Sequence, residues 1–440
     1  MDDTELEHIA SDNPALETPA AQPILVRSRR SNRSTKTKTA SSDAPVKPTK
    51  YDVGWRRVVR NFSPSWFSVT MGTGIVSLLF VTIPFKATPL YWLAVIFFCL
   101  NTILFFSALS ISVLRYTLYP EIWGVMIADS TNSLFLGTIP MGFATLVEAW
   151  IFLCIPYWGP WAITLAWICW MIDCVVALAV TISMTVLLIS ASERQALHRI
   201  TAAQLLPIAA TIVASGTGAE IAKVLPNPED ALGTLIASYV LWGMSTPLAM
   251  AVLVMYYTRL ALHKLPPREI VVSSFLPLGP LGMGGYTIMY LGSVSRMIFP
   301  QTHFFQDLAT AGDIFYILGA FIALMMWGFG LTWLCFALAS IYKSRPFPFN
   351  MGWWGFTFPL GVFAVSTIEF GVQMPSLFFK VLGTIFGTAV ILLWCVVATR
   401  TVRGAWDGRL FHAPCLANLP KKEEDKGEEE RVESEKGLQG

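Results

Sequence analysis

Four carboxylates stand where a carboxylate is costly. Glu148, Asp173, Glu220 and Glu369 fall inside long apolar stretches that carry no lysine or arginine near their middles. Ionisable groups at membrane depth are rare and mark a transport path or proton relay by default. Asp173, beside Cys174, is the most isolated of them. It has two readings, a structural hydrogen bond or a proton-coupling group, and the first is the plainer. A cation channel calls for carboxylates converging on one point, and a tightly binding anion carrier for a buried arginine. The sequence declares neither. It implies a neutral route lined by hydroxyl groups, where helix-end dipoles and free backbone N–H groups hold an anion weakly.

Enzyme chemistry finds no footing. His8, His198, His263, His303 and His412 share no metal-ligand spacing with Cys, Asp or Glu, so no metal site is expected. There is no Walker sequence, dinucleotide fingerprint or nucleophile elbow, and no cofactor is implied. Gly282-Met-Gly-Gly285 is glycine-rich but follows no strand pattern. The seven cysteines are scattered, six of them in apolar segments, and read as buried thiols. A net charge of +2 without a basic aromatic patch argues against a nucleic-acid partner.

The elements that position the carboxylates are membrane helices. Hydrophobic residues make up 54% of the 440-residue chain and charged residues 14%, and the mean hydropathy is +0.56. Soluble domains carry about 25% charged residues. Apolar windows of 18 or more residues read as spans, and long Leu, Ile, Phe and Trp runs form helices rather than barrel strands. Ten spans are expected near 62–82, 90–114, 132–155, 159–189, 202–222, 231–258, 271–294, 312–341, 353–371 and 376–399.

Two kinds of span alternate. The odd-numbered ones are broken by Pro and Gly: Thr70, Gly72, Thr73 and Gly74 in the first, Pro140 and Gly142 in the third, Pro207 and Gly216 in the fifth, Pro277 and Gly279 in the seventh, Pro359 and Gly361 in the ninth. Proline within a helix removes a backbone hydrogen bond and bends the segment, which lipid tolerates only against protein or a watery cavity. The broken helices therefore belong inside, lining a path at these residues, and the plain even-numbered ones outside, facing lipid. Tight helix packing around a solid core is the competing reading of the same small residues.

Basic residues orient the chain. One set of loops holds Arg115, Arg194, Arg199, Arg259, Lys264, Arg268, Lys343 and Arg345, the opposite set only Lys86, Lys223 and Arg296. The positive-inside rule then places both termini in the cytosol. Residues 1–54 read as a disordered basic tail, 55–405 as a transport domain and 406–440 as a charged tail. The first tail, with Arg27, Arg29, Arg30 and Arg33 among its serines, is a solvated segment open to a kinase or to anionic lipid.

Four motifs carry a resemblance. They are Phe62-Ser-Pro-Ser-Trp-Phe-Ser-Val-Thr-Met-Gly-Thr-Gly-Ile-Val76, Leu114-Arg-Tyr-Thr-Leu-Tyr-Pro-Glu-Ile-Trp123, Ser133-Leu-Phe-Leu-Gly-Thr-Ile-Pro-Met-Gly-Phe143 and Leu262-His-Lys-Leu-Pro-Pro-Arg-Glu269. Over about residues 55 to 405 the chain resembles the fungal sulfite-efflux branch of the tellurite-resistance/dicarboxylate transporter family, which also holds plant slow anion channels and fungal malate permeases. The resemblance implies an all-α membrane protein of five helical hairpins around a central pore, with homo-oligomers in the family. It implies a gating phenylalanine on the ninth span, at Phe358 with Phe356 as the rival. It implies sulfite or hydrogensulfite export across the plasma membrane. A C4-dicarboxylate permease, with or without proton coupling, is the alternative within transport, and a receptor or scaffold using a phosphorylatable tail the alternative outside it.

Overall fold

A computed structural model describes residues 54–129, 131–190, 197, 200–306 and 308–418. The basic amino-terminal tail, Arg194, Arg199 and the charged carboxyl tail from 419 onward lie outside the described residues. Among the described residues the secondary structure is helical, without a strand.

Ten long helices carry the architecture: α1 (Phe67–Thr82), α2 (Thr88–Leu118), α3 (Thr138–Leu153), α4 (Pro160–Ser190), α5 (Leu205–Val224), α6 (Pro228–His263), α7 (Leu278–Thr302), α8 (Ala311–Lys343), α9 (Thr357–Gln373) and α10 (Leu377–Trp406). Among the described residues, nine segments are long and apolar enough to cross a membrane. The exception is the α7 segment, whose Gly279, Gly282, Gly284, Gly285 and Gly292 take up helix length with little hydropathy.

Burial divides the helices into two sets. In the segments containing α1, α3, α5 and α9, 78, 78, 100 and 83% of the most apolar window is buried; in α2, α4, α8 and α10 the figure is 22%, and in α6 39%. The residues left exposed on the second set include Ile103, Val175, Val254, Phe321 and Met325. An apolar surface of this extent facing outward suits lipid and would be a liability in water.

The first set closes on itself. Helix α1 packs against α3, α3 against α5, α5 against α7, α7 against α9, and α9 against α1. Each outer helix packs against the inner helix before it and the inner helix after it, α10 reaching round to α1. A polar contact pins each outer helix to the inner one that follows. Trp170 Nε1 donates to the Ala214 carbonyl at 2.8 Å, Trp242 Nε1 to the Gly284 carbonyl at 2.9 Å, Trp327 Nε1 to Thr367 Oγ1 at 2.9 Å and Trp394 Nε1 to Thr73 Oγ1 at 3.1 Å. On α2, Asn101 Nδ2 takes the same part, donating to Thr145 Oγ1 at 3.2 Å. Interhelical bonds of this kind contribute about 0.6 kcal/mol each in a bilayer, so their value is register more than stability.

Every inner helix begins in a 3-10 turn: Pro64–Trp66, Ser133–Gly137, Ala202–Gln204, Val271–Phe275 and Met351–Phe356. These five turns also touch in a ring, each against the next and the last against the first. The amino-terminal ends of the inner helices are thereby gathered into one collar. The prolines sit here. Pro140, Pro207 and Pro359 are each the third residue of an α-helix, and Pro277 directly precedes one. In the first turn a missing N–H has no helical partner to lose, so these prolines start helices rather than bend them in mid-span.

Two of the basic residues counted as loop residues are buried within helices. Arg115 closes α2 with Nη1 on the Phe62 carbonyl at 2.5 Å, and Arg259 near the end of α6 donates to the Lys264 carbonyl at 2.8 Å. After α10 the chain folds back over the lead-in to α1. Phe411 stacks on Trp66 with ring centroids 4.9 Å apart, and the Ala413 N–H donates to Asn61 Oδ1 at 3.2 Å.

Candidate functional site

The candidate site is a small cavity to which all five inner helices contribute. Its lining is Ile75, Leu78 and Thr82 from α1, Glu148 and Phe152 from α3, Glu220 from α5, Met283 and Tyr286 from α7, and Val362 and Val365 from α9. About 20 Å³ is open to water-sized contents, room for roughly one water molecule. The spacing explains the membership: residues three or four apart on a helix share a face, so Glu148 with Phe152, Met283 with Tyr286, and Val362 with Val365 each present one stripe.

The polar part of the lining is acidic. Thr217 Oγ1 donates to Glu148 Oε1 at 2.8 Å, and the Tyr286 hydroxyl donates to Glu220 Oε1 at 2.6 Å. Glu220 Oε2 is buried with no hydrogen-bond partner among the described residues. The two carboxylates are thus brought together from separate helices, and the expectation of a neutral, hydroxyl-lined route needs correcting at this level. Sequence reasoning weighed Glu148 and Glu220 singly and missed Tyr286 and Thr217. The available signal was that both glutamates fall in the later half of their spans.

The hydroxyls expected to line a path turn to neighbouring backbone and side chains instead. Thr70 Oγ1 donates to the Phe67 carbonyl at 2.8 Å, and Thr73 Oγ1 to the Val69 carbonyl at 2.7 Å while accepting from Trp394. The small residues lie at helix crossings. A methyl group at Gly72 would strike Thr357 and Trp354, at Gly74 Thr145 and Asn101, at Gly142 Thr70, at Gly216 Met283 and Thr287, and at Gly361 Ile75. Small residues at such crossings let helix backbones approach closely in lipid. Gly279 differs: nothing lies within 4 Å of the place a Cβ would occupy. Asp173, on α4, is 2% exposed, and neither carboxyl oxygen has a hydrogen-bond partner among the described residues.

Phe358 and Phe356 separate clearly. Phe356 belongs to the collar, its ring edge-on to Phe275 at 4.9 Å and to Trp353 at 5.6 Å. Phe358 is the second residue of α9 and is 4% exposed. It precedes Val362 by one turn, which places it on the cavity stripe of α9 nearer the collar. Gly279 stands in the same relation to Met283 on α7. Phe358 and Gly279 thus hold equivalent positions, each the second residue of its helix and one turn before a cavity residue.

The sequence matches known proteins over the same span. The profile of the voltage-dependent anion channel (SLAC1) family matches residues 61–402, which takes in the collar, both sets of helices and the cavity. The chain belongs to this family. It is 47% identical over 353 residues to a protein of Arthroderma otae named sulfite efflux pump, covering 80% of this chain and 93% of the other. It is 30% identical over 362 residues to the sulfite efflux pump of Candida albicans, covering 76% and 72%. The malic acid transport protein of Schizosaccharomyces pombe is more distant, 24% identical over 362 residues with 78% of each chain covered. Family membership and the apolar outer surface make this a membrane protein of an anion-transporting family.

Proposed function

We propose that the protein exports sulfite or hydrogensulfite from the cytosol across the plasma membrane, along the axis of the inner helices. In this reading α1 to α10 all cross the bilayer as five hairpins, both termini are cytosolic, and residues 55–405 form the transport domain between two cytosolic tails. The observation that carries it is the cavity to which every inner helix contributes a side chain. A solid core would have no reason to bring five helices to one small cavity that holds two carboxyl groups.

The collar supports an anion as cargo. Each helix amino terminus carries a partial positive charge of about half a unit, and five of them are gathered at one end. With that end cytosolic, the anion meets its attraction at entry. Departure is downhill, since an anion leaving an inside-negative cell gains about 2.3 kcal/mol per charge per 100 mV. Phe358 forms the constriction between collar and cavity, and Gly279 leaves it space to swing aside. Homo-oligomerisation and phosphorylation of the serine-rich amino-terminal tail complete the proposal.

Purified protein in liposomes tests the cargo. Radiolabelled sulfite is expected to cross well above protein-free vesicles and to outpace malate. Malate crossing in its place would favour the dicarboxylate reading suggested by the more distant relative. Neither crossing would leave the receptor or scaffold reading.

A further inference from the structure

The carboxyl pair sits badly with an anion path as long as both groups are ionised. An ionised carboxylate is an acceptor only, and so is a sulfur oxyanion, so the two have no hydrogen bond to share. Two unit charges 4 Å apart repel by about 4 kcal/mol at the effective dielectric of a protein site. Among the described residues, no lysine or arginine lines the cavity to offset this.

The hydrogen-bond geometry suggests how the conflict is resolved. Thr217 Oγ1 lies 2.8 Å from Glu148 Oε1 and 3.1 Å from the Val213 carbonyl oxygen. A threonine hydroxyl has one proton, so it cannot donate to both at full strength. Both contacts are satisfied together when the Glu148 carboxyl carries a proton and donates it to Thr217, which then donates to Val213. At Glu220 the Tyr286 hydroxyl spends its one proton on Oε1, and Oε2 remains buried in the cavity wall without a partner. A proton on that oxygen turns it into a donor for whatever occupies the cavity.

We propose that Glu148, Glu220 and Tyr286 form a proton-dependent oxyanion site, which widens to admit an anion only when both carboxyls are protonated: Glu220 Oε2 then presents an O–H donor to it, and Glu148, its proton held by Thr217, no longer repels it. The site rests on the transport reading above and adds to it the chemistry of recognition: an anion with oxygen acceptors, held by protons that stay on the protein. Other titratable groups bear on the pair: Asp173 of α4 on Glu148, and Tyr290 of α7, Glu369 of α9 and Lys223 of α5 on Glu220, the Lys223 ammonium lying 5.2 Å from the centre of the Tyr290 ring. The packed helices also carry Cys99 on α2, Cys169 and Cys174 on α4 and Tyr239 on α6. Helix α1 contributes no titratable side chain. Lys223 is the one cation in this set; its charge reaches Glu220 and Glu369 as well as the Tyr290 face, but it does not line the cavity and offers the anion no direct contact there.

The test compares wild type with Glu220→Gln and Glu148→Gln in liposomes from mildly acid to mildly alkaline pH. At each pH all three see the same mixture of sulfite and hydrogensulfite, so ionisation of the substrate cancels in the ratio of variant to wild-type flux. Glutamine keeps an N–H donor at every pH, and the ratio is therefore expected to rise steadily toward alkaline pH. A ratio that stays constant would mean the glutamates only support the structure, and it overturns the proposal. A second reading uses the unmodified protein and covers the case of a variant that fails to fold. By infrared difference spectroscopy, sulfite is expected to shift the carbonyl band of a protonated carboxyl, and no shift counts against the site. Should wild type carry no sulfite at any pH, sulfite export fails, and the same ratios are read with malate and nitrate; flux of no anion overturns both proposals.

Discussion

Most of the outer helices are more apolar than the inner ones, yet it is the inner ones that are buried. An outer helix such as α8 buries 22% of its most apolar window, while the inner segment ending in α5 buries all of it. The outer helices spend their bulk on lipid and send one indole or amide inward to fix register. The inner helices spend glycine on close crossings and bring two of their carboxyls, Glu148 and Glu220, to one shared cavity. Hydropathy measures cost in water, and neither lipid nor protein interior is water. A residue's partners, not its hydropathy, therefore separate structure from function here.

Three substitutions sharpen the contrast. Met325→Asp, at the exposed face near the middle of α8, is expected to be the most damaging. An aspartate at the centre of a spanning helix costs about 2.5–3.5 kcal/mol, and Met325 is 61% exposed on the face assigned to lipid. Folded yield after extraction should collapse, whereas full yield would mean that this face meets water. Gly282→Val attacks the inner ring. A Cβ there lies 2.7 Å from Phe363 Cα, and the backbone of α9 cannot give way as a side chain could. Overpacking of this kind costs about 1–3 kcal/mol, to be read as a lowered melting temperature in detergent. An unchanged melting temperature would show that α7 and α9 are less closely held than their contact implies. Trp327→Phe is the mildest. It removes one bond to Thr367 at about 0.6 kcal/mol, so a small loss of thermal stability is expected with transport intact. A loss as large as that of Gly282→Val would make the outer indoles structural keystones.

Much of the helical pattern was legible in the chain. Runs such as Thr88–Leu118 and Pro160–Ser190 are too long and apolar for a soluble protein, and Pro140, Pro207, Pro277 and Pro359 flagged the segments that turn out to be buried. What the prolines do was less legible. A proline forbids a hydrogen bond without saying whether one was due, and in the first turn of a helix none is. The seventh span was expected with the others as an apolar segment, but its glycines keep it below the hydropathy of a free-standing span. At the site, Asp173 and the single glutamates could be seen, but not the meeting of Glu148 with Glu220 across two helices. That depends on the rotation of each helix about its axis, which a glycine crossing such as Gly142 on Thr70 settles and a one-dimensional pattern leaves open. Phe356 and Phe358, two residues apart, divide between collar and cavity stripe for the same reason.

The central claim is that anions pass along the axis of the inner ring and meet Phe358 on the way. Anion flux through purified, equally folded Phe358→Ala and Phe356→Ala in liposomes tests it most directly. Removing the Phe358 ring is expected to raise sulfite flux above wild type and to admit chloride and nitrate more freely, since a bulky apolar ring closes a path both by size and by repelling water. Phe356→Ala, which loosens the collar, is expected to lower stability without opening the path. If Phe358 is only packing, its loss costs about 3–5 kcal/mol, and flux per folded molecule stays at or below wild type for every anion. That result, with Phe356→Ala no more conductive, would contradict a path through the ring.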